Sequence, residues 1–128
     1  RTLANTAQAD KTLADLQAMG LSLSMDDFGM GCTSLLYMHR FKVHAIKLDG
    51  VLTRDVVRNP VDQDIIRCAC PLGHSQGVYV VAEFVEQADQ RDMLQALGCD
   101  FFQGWLYSPA MPADKVPAYL KAWHKATQ

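Results

Sequence analysis

The sequence predicts an α/β chain of about four parallel strands alternating with helices. Three observations carry this. Amphipathic helical stretches end at Gly20, Gly77 and Gly98; short apolar runs follow those glycines; and polar residues gather where each run stops. The 128 residues form a single unit, and a hydrophobic content of 49% is enough for a real core.

From Leu3 to Met19 apolar residues recur at helical spacing, with Gly20 as the stop. Leu21-Ser22-Leu23-Ser24-Met25 then alternates with period two and reads as a strand delivering Asp26 and Asp27 at its end. A short helix over Ser34–His39 precedes a second strand from Val43 to Asp49, closed by Gly50, on which Lys47 and Asp49 share a face. A polar loop through Asn59-Pro60 leads to a helix from about Val61 to Gln76, with a kink expected near residues 67 to 71 because Pro71 lies inside it. Val78–Glu83 is a continuous, β-branched run that suits a strand buried on both faces. A helix over Ala88–Leu97, a short strand over Asp100–Gly104 and an amphipathic helix from Ala113 to Trp123 complete the chain.

The polar residues at the strand ends are Asp26 with Asp27, Lys47 with Asp49, Glu83, and Gln103. Active sites are built at that end both in a β/α barrel and in an open doubly wound sheet, so the pattern alone leaves the two architectures open. Adjacent strand residues point opposite ways, so Asp27 needs the backbone turn beginning at Phe28 to share a site with Asp26. Crowded carboxylates stay ionised when a hard divalent cation such as Mg²⁺ or Mn²⁺ holds them. Gly29 and Gly31 permit close backbone approach to a phosphate at the start of the next helix. A surface turn with a capping aspartate fits the same spacing. Trp105 and Tyr107 read more readily as packing against the last helix than as a base-stacking surface.

A net charge of −2 gives no basic footprint for a DNA or RNA polymer. No apolar run reaches the roughly 20 residues of a membrane span, so no membrane contact is expected from this segment. Cys32, Cys68, Cys70 and Cys99 lack metal-site spacing and read as reduced thiols of a cytoplasmic protein.

Taken together, four motifs in order resemble the EAL domain, a β/α barrel phosphodiesterase that hydrolyses the bacterial second messenger cyclic di-GMP with divalent metal. Asp26-Asp27-Phe28-Gly29-x-Gly31 resembles the family's DDFGTG and Ile46-Lys47-Leu48-Asp49 its KID strand. Val81-Ala82-Glu83-x-Val85-Glu86 resembles VVAEGVE, and Gly98-Cys99-Asp100 through Gln103-Gly104 resembles GCD..QG. The resemblance implies that Asp26 and Asp27 are metal ligands for Mg²⁺ or Mn²⁺, and that Lys47 lies near the attacking water. It implies that Glu83 is the general base or water-orienting group, that Gln103, Gly29 and Gly31 face the substrate, and that Glu86 steadies the loop after the paired aspartates. Residues 1–128 then correspond to the C-terminal half of the barrel, against about 250 residues for a closed one. The EAL glutamate, an asparagine and a further glutamate of the family's earlier strands are expected upstream of Arg1.

Two departures from the family stand out. Met30, Cys32 and Thr33 replace its usual loop residues, and Phe84 stands in place of a glycine. They favour an alternative reading, a degenerate EAL-like module that binds nucleotide or protein without hydrolysis. Whichever reading holds, the chain alone is expected to bind metal weakly and to be inactive, and four parallel strands with uncovered edges are expected to associate as a homodimer or larger assembly.

Overall fold

The computed structural model describes residues 6–28 and 42–127. The helix expected over Ser34–His39, and Gly29, Gly31, Met30, Cys32 and Thr33, lie outside them. The order is α1 (Thr6–Ala18), β1 (Ser24–Phe28), β2 (Ala45–Leu48), α2 (Gly50–Thr53), α3 (Pro60–Ser75), β3 (Tyr79–Ala82), α4 (Ala88–Leu97), β4 (Phe101–Phe102) and α5 (Val116–Thr127). The four strands form one sheet in sequence order, and every neighbouring pair is parallel.

Helix α1 ends as expected at Gly20, whose φ of +90° permits a left-handed turn. Gly20 N donates to Gln17 O at 3.0 Å and Leu21 N to Leu16 O at 3.3 Å, so both freed carbonyls are satisfied. Met19, expected on the apolar stripe, is 75% exposed because the chain has already left the helix there.

Helix α3 begins with Asn59 as its cap, the side chain accepting from Val61 N and Asp62 N, and runs through Pro71 as one sixteen-residue element. Its partner surface is the sheet. A side chain at Gly73 would place its Cβ 3.2 Å from Val80 Cγ2 and 3.4 Å from Ile46 Cδ1, so glycine allows the last turn to lie close on β2 and β3.

One side of the sheet makes the core. Ile46 and Leu48 of β2, Val80 and Ala82 of β3, Ile66 and Cys70 of α3 and Leu94 of α4 are all 1% exposed or less. The other side departs from the expectation of burial on both faces: Tyr79 is 57% and Phe101 53% exposed, their rings meeting edge to face at 5.2 Å. No helix among the described residues covers that face, which is why an apolar run such as Val78–Ala82 is only half enclosed.

Three boundaries differ from the sequence reading. β1 starts at Ser24 and contains both aspartates, rather than ending before them. β2 is trimmed to Ala45–Leu48 because Asp49 leaves the ladder to cap α2, accepting from Val51 N at 2.8 Å. β4 shrinks to Phe101–Phe102, and Asp100 Oδ2 instead accepts from Val80 N at 2.8 Å and pairs with His74 Nε2 at 2.7 Å.

Candidate active site at the strand ends

The register builds the site. Lys47 pairs with Val81, and Val81 with Phe101, so Lys47, Glu83 and Gln103 fall on the same open face at the C-terminal ends of β2, β3 and β4. Their side chains meet there. Lys47 Nζ lies 3.8 Å from Glu83 Oε1 and donates to Gln103 Oε1 at 3.4 Å. The Glu83 side chain is 14% exposed and that of Lys47 30%. The ion pair of Lys47 is therefore with Glu83 rather than with Asp49, whose carboxylate is engaged as a helix cap.

Asp26 completes the cluster from β1. Burial pushes the Glu83 carboxyl above its ordinary range, and the charge and side-chain hydrogen bond of Asp26 push it further; Lys47 pulls it back, and Asp49 adds a smaller upward push. Two carboxyls in hydrogen-bond contact with one ammonium between strands are short of positive charge. A divalent cation would relieve that shortage, and the donors are the hard oxygens that Mg²⁺ and Mn²⁺ take. No group of three metal-ligating side chains is assembled among the described residues, so waters or further residues would complete the shell.

The two adjacent acids share one place in the ladder. Between Met25 and Phe28 on β1 the partner strand advances only from Ile46 to Leu48, so β1 carries one additional residue at Asp26-Asp27, opposite Lys47. Such a bulge bends the strand. The turn expected to begin at Phe28 is not found there, because Phe28 still pairs with Leu48 as the last residue of β1.

The corner after β3 holds what the sequence reading missed. Residues 50–53 form α2 where a loop was expected, and buried Thr53 donates from Oγ1 to Glu83 O at 2.6 Å. Gln90, 5% exposed, hydrogen-bonds the backbone of the same corner. Its position three residues after Gln87, at the head of a helix, is the spacing of a capping box, and that signal was available. Glu86 is exposed, and its backbone N–H donates to Gln90 Oε1 at 2.8 Å. The loop it was expected to steady lies outside the described residues.

Phe84 adopts φ +58°, a left-handed conformation that β-carbon sterics make costly and that a glycine would take freely. Its ring lies under the Arg54 guanidinium, 4.4 Å from the centroid, and over Gly50, where an added Cβ would sit 2.6 Å from Phe84 Cδ2. Phe84 and Arg54 form one wall of a cleft of about 680 Å³ that also holds Glu83, Gln103 and Trp105. Trp105 is 73% exposed and lines the cleft, whereas Tyr107 packs on the last helix, meeting Trp123 edge to face at 5.8 Å and accepting from the Tyr119 hydroxyl.

Comparison with known proteins agrees with this geometry. The EAL domain family model matches residues 1–110. The chain is 36% identical over 110 residues to the cyclic di-GMP phosphodiesterase PdeF of Escherichia coli K12, covering 86% of this chain and 15% of that protein. It superposes on an EAL domain protein from Listeria monocytogenes with a TM-score of 0.83 at 32% identity, covering 94% of this chain and 49% of that one. It superposes on Klebsiella pneumoniae BlrP1, solved as a manganese and cyclic di-GMP complex, with a TM-score of 0.77 at 35% identity, covering 83% of this chain and 27% of that one. The chain thus spans about half of the solved Listeria domain and a small part of the longer relatives. With its motifs in order, its sheet superposable and its polar strand ends convergent, the chain belongs to the EAL domain family of cyclic di-GMP phosphodiesterases.

Proposed function

We propose that the chain supplies the C-terminal half of a metal-dependent active site that hydrolyses one phosphodiester bond of cyclic di-GMP. The convergence of Lys47, Glu83 and Gln103 beside Asp26 carries this reading. Asp26 and Asp27 are the residues that would hold Mg²⁺ or Mn²⁺, and a bound ion would acidify a water and offset phosphate charge. Glu83 Oε1 receives the proton of the attacking water, a task suited to a carboxyl whose proton affinity burial raises above its ordinary value. Lys47 Nζ holds that carboxylate in place and faces the developing negative charge on phosphate oxygen. Gln103, with Gly29 and Gly31, orients the substrate, while Glu86 steadies the segment after the paired aspartates.

A second reading, a degenerate module that binds nucleotide or protein without hydrolysis, is favoured by Phe84, which walls the cleft in a strained conformation. Incubation with Mn²⁺ and cyclic di-GMP, followed by chromatography for the linear dinucleotide, separates the two. The chain alone should turn over far below ~1 s⁻¹, and the chain joined to the first half of a related EAL domain should approach it. A joined domain that binds cyclic di-GMP tightly without producing linear dinucleotide would establish the degenerate reading.

The exposed face around Tyr79 and Phe101, and the outer edges of β1 and β4, which no further strand among the described residues pairs with, need cover. In the chain alone a second copy supplies it, and light scattering should show a dimer or larger; a monomer of 14.2 kDa at micromolar concentration would refute this. Free thiols at Cys68, Cys70 and Cys99 suit the reducing cytoplasm, where a nucleotide messenger is met. No helix among the described residues is long and apolar enough to cross a membrane.

A further inference from the structure

Both ends of the Gln90 carboxamide are fully used. Oε1 accepts from Glu86 N at 2.8 Å and Gln87 N at 3.3 Å, and Nε2 donates to Thr53 O and Phe84 O, each at 2.8 Å. The first two bonds are what any helix cap at this position requires. The second two are not. They tie α4 to α2 and to the residue that follows Glu83, and only an amide offers two donors beside its acceptor.

This arrangement holds the Glu83 carbonyl and the carbonyl of the residue after it. Thr53 Oγ1 donates to Glu83 O at 2.6 Å, Gln90 Nε2 donates to Phe84 O, and the same nitrogen bonds Thr53 O, which closes the ring. Phe84 needs such a clamp, because a non-glycine residue at φ +58° persists only where its surroundings over-determine it. Three neighbours do so here: Arg54 above the ring, Gly50 below it and Gln90 on the carbonyl.

We propose that Gln90 is a positioning residue: through Thr53 and Phe84 it fixes the backbone of Glu83 and so the place of the Glu83 carboxylate opposite Lys47. The role of that carboxylate rests on the function proposed above; the clamp itself does not.

Two variants separate positioning from capping. Gln90→Glu keeps the acceptor bonds to Glu86 and Gln87 but loses both donors at neutral pH. Gln90→Met keeps the volume and loses all four bonds. The readouts are amide hydrogen exchange at Glu86 and Gln87 and the Lys47 Nζ resonance in nitrogen-edited NMR, with Glu83→Gln as the reference for a Lys47 that has lost its partner. In Gln90→Glu the two amides should stay protected while the Lys47 Nζ resonance moves to its position in Glu83→Gln. In Gln90→Met the resonance should move likewise, and exchange at the amides should rise by about tenfold or more. A folded variant of either kind with an unmoved Lys47 Nζ resonance overturns the proposal. So does the failure of both variants to fold, since Gln90 would then be a residue of global stability. Because neither readout requires turnover, an inactive chain leaves this comparison intact, and failure of the hydrolytic reading is distinguished from failure of the clamp.

Discussion

Lys47 Nζ stands 3.8 Å from Glu83 Oε1 across the β2 and β3 strand ends and is the attractive charge acting on a carboxyl that burial and Asp26 otherwise drive toward its neutral form. Replacing Lys47 with Met should therefore raise the proton affinity of Glu83 further. In an active EAL domain carrying this chain, Lys47→Met should lower kcat by ~10²-fold or more while KM changes little. A rise in KM with kcat unchanged would show that Lys47 binds substrate and does no more. Stability should fall by about 1 kcal/mol or less, since the pair is partly solvated.

The raised proton affinity of Glu83 also sets a pH dependence. Below the ordinary carboxyl value of 4.5 the protonated group contributes its full stabilisation, and this is lost as pH rises through the higher folded-state value. Glu83→Gln should accordingly melt at a higher temperature than the native chain at neutral pH without metal, and the two should converge below that window. Mn²⁺ should act in the opposite sense, raising the melting temperature of the native chain at neutral pH more than at acid pH. That metal effect should be absent from Asp26→Asn. Thermal melts from about pH 4 to about pH 8, with and without Mn²⁺, test all three statements.

Phe84→Gly removes a left-handed strain of about 1–2 kcal/mol and gives up a cation–π contact with Arg54 of about 0.5–1 kcal/mol. The variant should be more stable in urea by up to about 1 kcal/mol and should open the cleft wall. Activity in an EAL domain carrying this chain should rise. Unchanged kinetics would remove Phe84 as the argument for degeneracy.

Gly104→Ala tests how tightly the corner closes on β4. An added Cβ would lie 2.2 Å from Val85 O and 2.4 Å from Val85 N, both backbone atoms that cannot swing aside. The loss should be about 3 kcal/mol or more, seen as failure to fold or a large drop in urea midpoint. Gly77→Ala is the matched control: φ is +71° but nothing lies within 4 Å, so about 1 kcal/mol is expected.

Much of this was legible in the residues. Glycine stops and β-branched runs gave the parallel sheet, and polar strand ends gave the cluster of Lys47, Glu83 and Gln103, because both signals are local or follow from parallel register. The related motif has glycine where Phe84 stands, and the backbone there adopts a positive φ of +58°, which the residue type alone did not specify. What escaped was set by partners distant in sequence. The helix over Gly50–Thr53 is only four residues long, and Thr53 meets Glu83 thirty residues later. No apolar period can form in so short a helix. Burial of β3 on both faces failed as an expectation because apolar character records what a strand can tolerate, whereas exposure depends on what lies opposite it.

The extra residue in β1 makes deletion and substitution unequal experiments. Substituting Asp26 or Asp27 leaves the backbone path of the strand as it is. Deleting one of them would remove the surplus residue, so that Met25 and Phe28 could keep their partners Ile46 and Leu48 with a single residue left between them opposite Lys47. The sheet could therefore heal into a regular ladder while one carboxylate is lost. A lineage shedding the second acid by such a deletion would retain its scaffold, and the paired aspartates are in this sense an insertion that the pleat accommodates but does not require.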